Sequence, residues 1–215
     1  VNDAIQNEAA KMNKEVFYAP CVNSDLPYLL NRIEFLVKNK IKAYHLNIWT
    51  GLPIYKYLRS FDFDIAMHYQ KSGDRVMTDK NNAYSISWNV LLKLARISGA
   101  DFIHAGMWGG YLSDTKEDLT NWISILTSAN DHGFKKTAAS LSCGSHPGLV
   151  QTTVKNFGDD LMMSLGGSMH GHPSGTIAGA KAMRQAFDLL TEKTQNLKNL
   201  TEYNEAIEKW GLVDD

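Results

Sequence analysis

Apolar runs of strand length alternate with segments of helical spacing along most of this chain, and that alternation limits the folds open to it more than any other feature. The runs are Glu15–Cys21, Ile41–Trp49, Phe63–Tyr69, Asp101–Met107, Lys136–Leu141 and Asp160–Leu165. Between them lie Leu26–Lys38, Leu52–Arg59, Ser87–Ser98, Asp118–Asn130 and His146–Phe157. The runs read as near-continuously apolar, as expected of parallel strands covered on both faces. Strand–helix repetition argues an α/β fold with right-handed crossovers. The segment from Ser87 shows the local logic. Ser85 or Ser87 is placed to cap a helix, Val90, Leu91, Leu94 and Ile97 form one apolar stripe, and Gly99 ends it.

Six βα units suit either an open sheet or an incomplete barrel, since a closed (β/α)8 barrel needs eight strands and typically about 250 residues. The helical opening, Asp3 to Met12, reads as the end of a unit whose strand is not in this sequence. With 215 residues the chain is long enough for one domain and too short for two comfortable ones. The partial barrel is assigned to residues 1–190 and a more polar helical tail to 191–215. Residue 1 is Val, which fits a processed chain or a piece of a longer one.

The formal charge of −1 and the lack of aromatic residues among Lys/Arg clusters argue against a nucleic-acid partner. Lys11, Lys14, Lys38, Lys40 and Lys42 read as solvated positions. No apolar run nears the roughly 20 residues that cross a bilayer, which argues against a membrane partner. No charged n-region opens the chain. Cys21 and Cys143, on strand-like segments, read as free thiols, and the expected compartment is the cytoplasm.

Chemistry in such folds gathers at the C-terminal strand ends. Two of these ends are glycine-rich, Ser142-Cys143-Gly144-Ser145-His146-Pro147-Gly148 and Leu165-Gly166-Gly167-Ser168-Met169-His170-Gly171-His172-Pro173. Glycines let backbone N–H groups approach an anion, and a following helix adds its positive end. A phosphorylated small molecule is the expected ligand. Tight strand-to-helix turns are the competing explanation of the same glycines. The other strand ends carry Asn23, Asn47, His68, His104 and Ser142, with His45 on an earlier strand. Imidazole can hydrogen-bond a phosphate or hydroxyl, or move a proton near neutral pH. A single strand-end histidine is more often a core residue, but three on successive strands favour function about evenly. No metal site is assigned, because His170 and His172 lack a third ligand and no strand end carries paired carboxylates.

From Ser87 to Asp188 the sequence resembles the C-terminal barrel part of the large chain of RuBisCO, ribulose-bisphosphate carboxylase/oxygenase. The stretches that carry the resemblance are Leu91 to His104, Phe157-Gly158-Asp159-Asp160, Gly166-Gly167, Gly171-His172-Pro173 and Gly175 to Ala180. A weaker likeness reaches back to His68. The resemblance implies barrel strands three to eight of a TIM-type fold. It also implies that Gly144, Gly166 and Gly167 bind phosphate through their backbone, that Ser142 touches substrate, and that His68 and His104 are active-site histidines. The departures matter as much. Tyr69 stands where the family has a phosphate-binding arginine, Ser72 where it has a second histidine, and Tyr111 where it has the mobile lysine that supports carboxylation. Tyr69 and Tyr111 are carried over as substrate-binding positions.

Loss of these cations argues against carboxylation. The expectation is a non-carboxylating RuBisCO-like enzyme that enolises or isomerises a phosphorylated keto-sugar or methylthio-sugar phosphate. The rival expectations are a divergent carboxylase or sugar-phosphate decarboxylase, and an inert phosphate-binding fragment. The resemblance further implies Mg²⁺, whose family ligands fall outside this sequence, and a homodimer or an assembly with an upstream fragment.

Overall fold

The computed structural model describes residues 1–129, 132–191 and 200–214. The end of the expected Asp118–Asn130 helix at Asn130, and much of the tail expected at 191–215, lie outside the described residues. The chain divides into two compact units. Unit one comprises Val1–His104 and Ile125–Ala138, and unit two comprises Ala105–Ser124 and Ala139–Asp215.

In unit one, helix α1 (Asn2–Lys11) is followed by α2 (Leu26–Lys38), β1 (Ala43–Asn47), α3 (Leu52–Arg59), β2 (Ala66–Gln70), the single turn α4 (Arg75–Thr78), α5 (Trp88–Ile97) and the start of β3 (Phe102–Met107). The bounds of α2 and α3 coincide with the sequence reading because each has proline in its first turn, Pro27 and Pro53, where no N–H is missed. The β1–β2 and β2–β3 pairs are parallel, with His45 opposite His68 and His68 opposite Phe102.

Three expectations are corrected here. First, the run Glu15–Cys21 makes only an isolated parallel bridge, Cys21 to His45. Second, β1 and β2 are not apolar on both faces, although β3 is buried on both from Ile103 to Met107. Tyr44, Leu46, Met67, Tyr69 and Ile103 are buried, whereas the intervening His45, Asn47, His68 and Gln70 are half-buried. Side chains alternate along a strand, so one face packs on helices and the other carries polar groups. Third, α5 buries Trp88, Leu91, Leu92, Ala95 and Arg96, leaving Val90, Leu94 and Ile97 exposed. The buried stripe is turned from the expected one because Arg96 must face inward. Its guanidinium donates to the carbonyls of Ile125, Ser128, Phe134 and Lys135, closing the segment that leads toward the next strand. Ser87 precedes α5 without a side-chain capping bond.

Unit two contains the rest of β3, the start of α6 (Lys116–Thr127), β4 (Ala138–Ser142), α7 (Val150–Phe157), the short β5 (Leu161–Met163), α8 (Gly166–His170), α9 (Thr176–Leu190) and α10 (Thr201–Trp210). The β4–β5 pair is parallel, with Leu141 opposite Met163. Val150, Met183 and Ala186 form a buried cluster, with Met163, Leu165, Phe187, Leu190 and Tyr203 packed around it. Among the described residues no helix is long and apolar enough to cross a membrane.

Asp101 ties unit one together just before β3. Its carboxylate accepts from the Met67 N–H, from Arg59 at the end of α3 and from Lys135. Burial raises its pKa, but the Lys135 and Met67 hydrogen bonds and the two cations outweigh this and hold the carboxyl below its ordinary 3.8. A depressed folded-state pKa gives stability that is complete above the unfolded value and lost as pH falls through the folded one. Asp101→Asn is expected to destabilise the chain by about 2 kcal/mol at pH 7, in the range of hydrogen bonds to a charged group. The difference from the parent chain should vanish as the pH drops below about 3.8 toward the folded value. Urea melts from pH 7 to 3 check this, and a difference independent of pH would be inconsistent with the carboxylate's role.

Candidate functional site

The polar groups of unit one lie on the strand face opposite the helices. His45 and His68 meet across the β1–β2 register, their rings edge to face with centroids 5.0 Å apart and their Nδ1 atoms 3.2 Å apart. Burial lowers the pKa of both. For His68, burial and then the neighbouring His45 bring it to about 4. Both rings are therefore neutral at pH 7. The Nε2 atom of His68 is buried and has no hydrogen-bond partner among the described residues.

Two residues further along each strand lies a second polar row. The Asn47 N–H donates to Asn23 Oδ1, and the Asn47 side chain donates to the Ser72 carbonyl. Gln70 Oε1 lies 2.5 Å from His104 Nδ1 and also accepts from the Lys71 N–H. Since a backbone N–H can only donate, that amide atom is the acceptor, and His104 donates from Nδ1. With Nδ1 donating, any acceptor role of an uncharged His104 ring falls to Nε2.

Tyr69 does not join this face. It is fully buried, with Tyr55 at a ring distance of 5.0 Å and Trp88 at 6.4 Å. The expectation that Tyr69 binds substrate is corrected, because strand alternation turns position 69 toward the helices whenever His68 faces the other way.

In unit two, β4 and β5 run side by side and their chain ends leave together. The Ser164 N–H still donates to Leu141 O, and the two glycine loops follow. The Ser142 hydroxyl lies 3.3 Å from Cys143 Sγ. Cys143, one residue beyond β4, and Gly144 both have positive φ, +67° and +106°. A Cβ on Gly144 would stand 2.8 Å from the Tyr111 N and 2.9 Å from Gly110 Cα. The loop carrying Tyr111 thus packs backbone to backbone on the Ser142–Gly144 loop. Tyr111 is 78% exposed. Its hydroxyl is held above its ordinary pKa by the charge of Cys143 and by a hydrogen bond to that thiol.

Gly166 and Gly167 behave differently. They open α8, neither has positive φ, and a Cβ on either would meet nothing within 4 Å. Their N–H groups precede the first helical bond, Met169 N–H to Leu165 O, at the helix start where N–H groups have no intrahelical acceptor. The backbone does not require glycine at 166 or 167, whereas it does at 144.

His172 accepts from the Ser174 N–H at Nδ1 and donates from Nε2 to Glu202 O, and His170 Nδ1 lies 3.1 Å from Thr176 Oγ1. The His146 ring stacks on Trp210, while its buried Nδ1 has no hydrogen-bond partner among the described residues. Among the described residues no three His, Cys, Asp or Glu side chains converge on a possible metal position. The described residues do not supply a cage for the Mg²⁺ that the resemblance implies. Gln70 is a partner that sequence reading does not single out, and His45 is weighed there with His68 and His104 without being assigned to the site. The signal was the period-two pattern His45-Leu46-Asn47 and His68-Tyr69-Gln70.

The family described as "Ribulose bisphosphate carboxylase large chain, catalytic domain" matches residues 1–210. The ribulose bisphosphate carboxylase of Thermococcus kodakarensis is 31% identical over 98% of this chain and 51% of its own length. A 2,3-diketo-5-methylthiopentyl-1-phosphate enolase of Bacillus cereus is 37% identical over 60% of this chain and 31% of its own. The crystal structure of octameric Rubisco from Pyrococcus horikoshii superimposes with a TM-score of 0.88 at 26% identity, covering 98% of this chain and 52% of that one. This chain belongs to the RuBisCO large-chain family. It spans about half the length of the relatives it matches, or less.

The two kinds of glycine separate in a stability measurement. Gly144→Ala forces a Cβ into backbone at positive φ and is expected to cost about 1–3 kcal/mol. Gly166→Ala should stay within about 0.5 kcal/mol of the parent. Thermal melts of the two variants check this, and equal losses would contradict the distinction.

Proposed function

We propose that this chain supplies the C-terminal part of a (β/α)8 barrel in a RuBisCO-like enzyme, one that enolises or isomerises a phosphorylated keto-sugar or methylthio-sugar phosphate. The observation that carries the reading is the pairing of β4 with β5, which sends two glycine loops out side by side, one of them opening a helix with glycines that no steric demand explains. In this reading the N–H groups of Gly144, Gly166 and Gly167 bind the phosphate, helped by the positive end of α8. Ser142 and the exposed Tyr111 hydroxyl add hydrogen bonds to substrate. His68, held neutral by burial, and His104, whose Nδ1 is engaged by Gln70, bind substrate hydroxyls or move the proton that enolisation requires.

Relatives that carry the carboxylase name share about a third of this sequence, so carboxylation is the second reading. Against it stands Tyr111, a neutral side chain at the position where the resemblance expects the lysine that meets the CO₂-derived carboxylate. The assemblies of the relatives, dimeric in Hyperthermus butylicus and octameric in Pyrococcus horikoshii, suggest that the working form of this protein is also a homo-oligomer.

Gly166→Asp places a carboxylate in the space where the anion should sit, at a position with room for it, so the fold should survive. Calorimetry with a keto-sugar monophosphate should show binding by the parent chain and none by the variant, and equal affinity would remove Gly166 from the phosphate site. Incubation with ribulose bisphosphate and labelled CO₂ is expected to give no fixed carbon, and turnover would favour the carboxylase reading.

A further inference from the structure

The hydrogen bond between His45 and His68 joins two Nδ1 atoms 3.2 Å apart, so it holds one proton, carried by one ring and accepted by the other. Two neutral arrangements satisfy it. When His68 donates, its Nε2 is a bare lone pair, and when His45 donates, Nε2 of His68 carries the hydrogen. That Nε2 is buried without a partner. An orphaned buried N–H is rarer than an under-satisfied acceptor. In the ligand-free chain the shared proton therefore belongs to His68 Nδ1, and Nε2 is left as an acceptor.

The surroundings also fix which ring takes an added charge. The register row is Cys21, His45, His68 and Phe102, and the next row carries Asn47, Gln70 and His104. No carboxylate occupies either row. Burial disfavours a charge on either ring and the repulsion between them is mutual, but the enclosed Nε2 of His68 makes His68 the costlier cation of the two.

We propose that His45 is a positioning residue that holds the proton His68 cannot keep. This rests on the enolisation reading above. His68 Nε2 takes a proton from the carbon next to the ligand's carbonyl, and the C–H bonding electron pair stays behind on the ligand as the enolate. At the same time the Nδ1 proton of His68 crosses to Nδ1 of His45. His68 ends neutral with hydrogen on Nε2, ready to donate it to the enolate, and the positive charge rests on His45. The return step reverses both transfers, and no other reactant is needed.

The first test uses the ligand-free parent chain, labelled with ¹⁵N-histidine and titrated by NMR. The expected result is one protonated and one bare Nδ1 coupled across the hydrogen bond. As pH falls, His45 should take the first proton and His68 should stay neutral to near pH 4. Protonation of His68 before His45, or hydrogen on Nε2 of both neutral rings, would overturn the proposal. The second test follows solvent deuterium entering ribulose 1,5-bisphosphate and 5-methylthioribulose 1-phosphate in the full polypeptide. His45→Asn keeps a hydrogen-bond partner for His68 but cannot accept a proton. It should lower the exchange rate about 10- to 100-fold with ligand affinity unchanged. Exchange at the parent rate would reduce His45 to an orienting contact and overturn the relay. Absence of exchange in the parent protein would instead count against the enolisation reading, and the titration would still decide the ownership of the shared proton.

Discussion

One carboxylate sets the register on which the histidine face of unit one depends. Asp101 accepts from β2 through Met67, from α3 through Arg59 and from Lys135. Its backbone N–H donates to Met67 O and its carbonyl accepts from the Ala138 N–H. Five donor and acceptor bonds converge on one residue at the mouth of β3. A slip of one position would leave a charged group half-buried without partners and turn every side chain of β3 to the opposite face. With Asp101 fixed beside Met67, Phe102 falls opposite His68 and His104 reaches the level of Gln70. The tautomer of His104 is thus a consequence of an ion pair at the other end of the strand.

Legibility in the sequence followed the range of the interactions. Helices α2 and α3 were readable to the residue because proline in the first turn is a local signal. The face of α5 was not, because the choice between the Val90–Leu94–Ile97 stripe and the Leu92–Arg96 stripe is made by carbonyls some 30 to 40 residues away that Arg96 must reach. The apolar run Glu15–Cys21 has the composition of a strand but pairs at one residue only, since a ladder needs a neighbour as well as a propensity. His68 and His104 stood out by position. Their partners His45 and Gln70 depended on cross-strand register, which a single sequence does not display.

The glycine loops show how one residue type answers two different demands. Gly144 combines positive φ with a neighbour's backbone inside the space of a Cβ, so the chain needs glycine there whatever it binds. Gly166 and Gly167 meet neither condition, yet they occupy the first turn of a helix, where glycine is a poor former. A cost in helix propensity with no return in packing is what close approach of a ligand to the backbone would leave in a sequence. The phosphate reading therefore draws more support from 166 and 167 than from the more conspicuous turn at 144.

The charge around the end of β2 bears on what a ligand can present there. Lys71 is the cation next in sequence to Gln70, but it is 7% exposed, lies 3.6 Å from Asp74 and covers the Trp88 ring at 4.4 Å. It shares the parity of Tyr69, so strand alternation sends it to the helix side and its charge is spent on a core ion pair. His45 and His68, on the other side, are held neutral by burial. A doubly charged phosphate brought to that face would be desolvated with no cation from these residues to offset it, at a cost of several kcal/mol. Neutral hydroxyl and carbonyl groups would instead find acceptors and donors already oriented. On the proposed reading that asymmetry would suit a ligand with one phosphate better than a bisphosphate, and it arises from the parity of a five-residue strand more than from any single substitution.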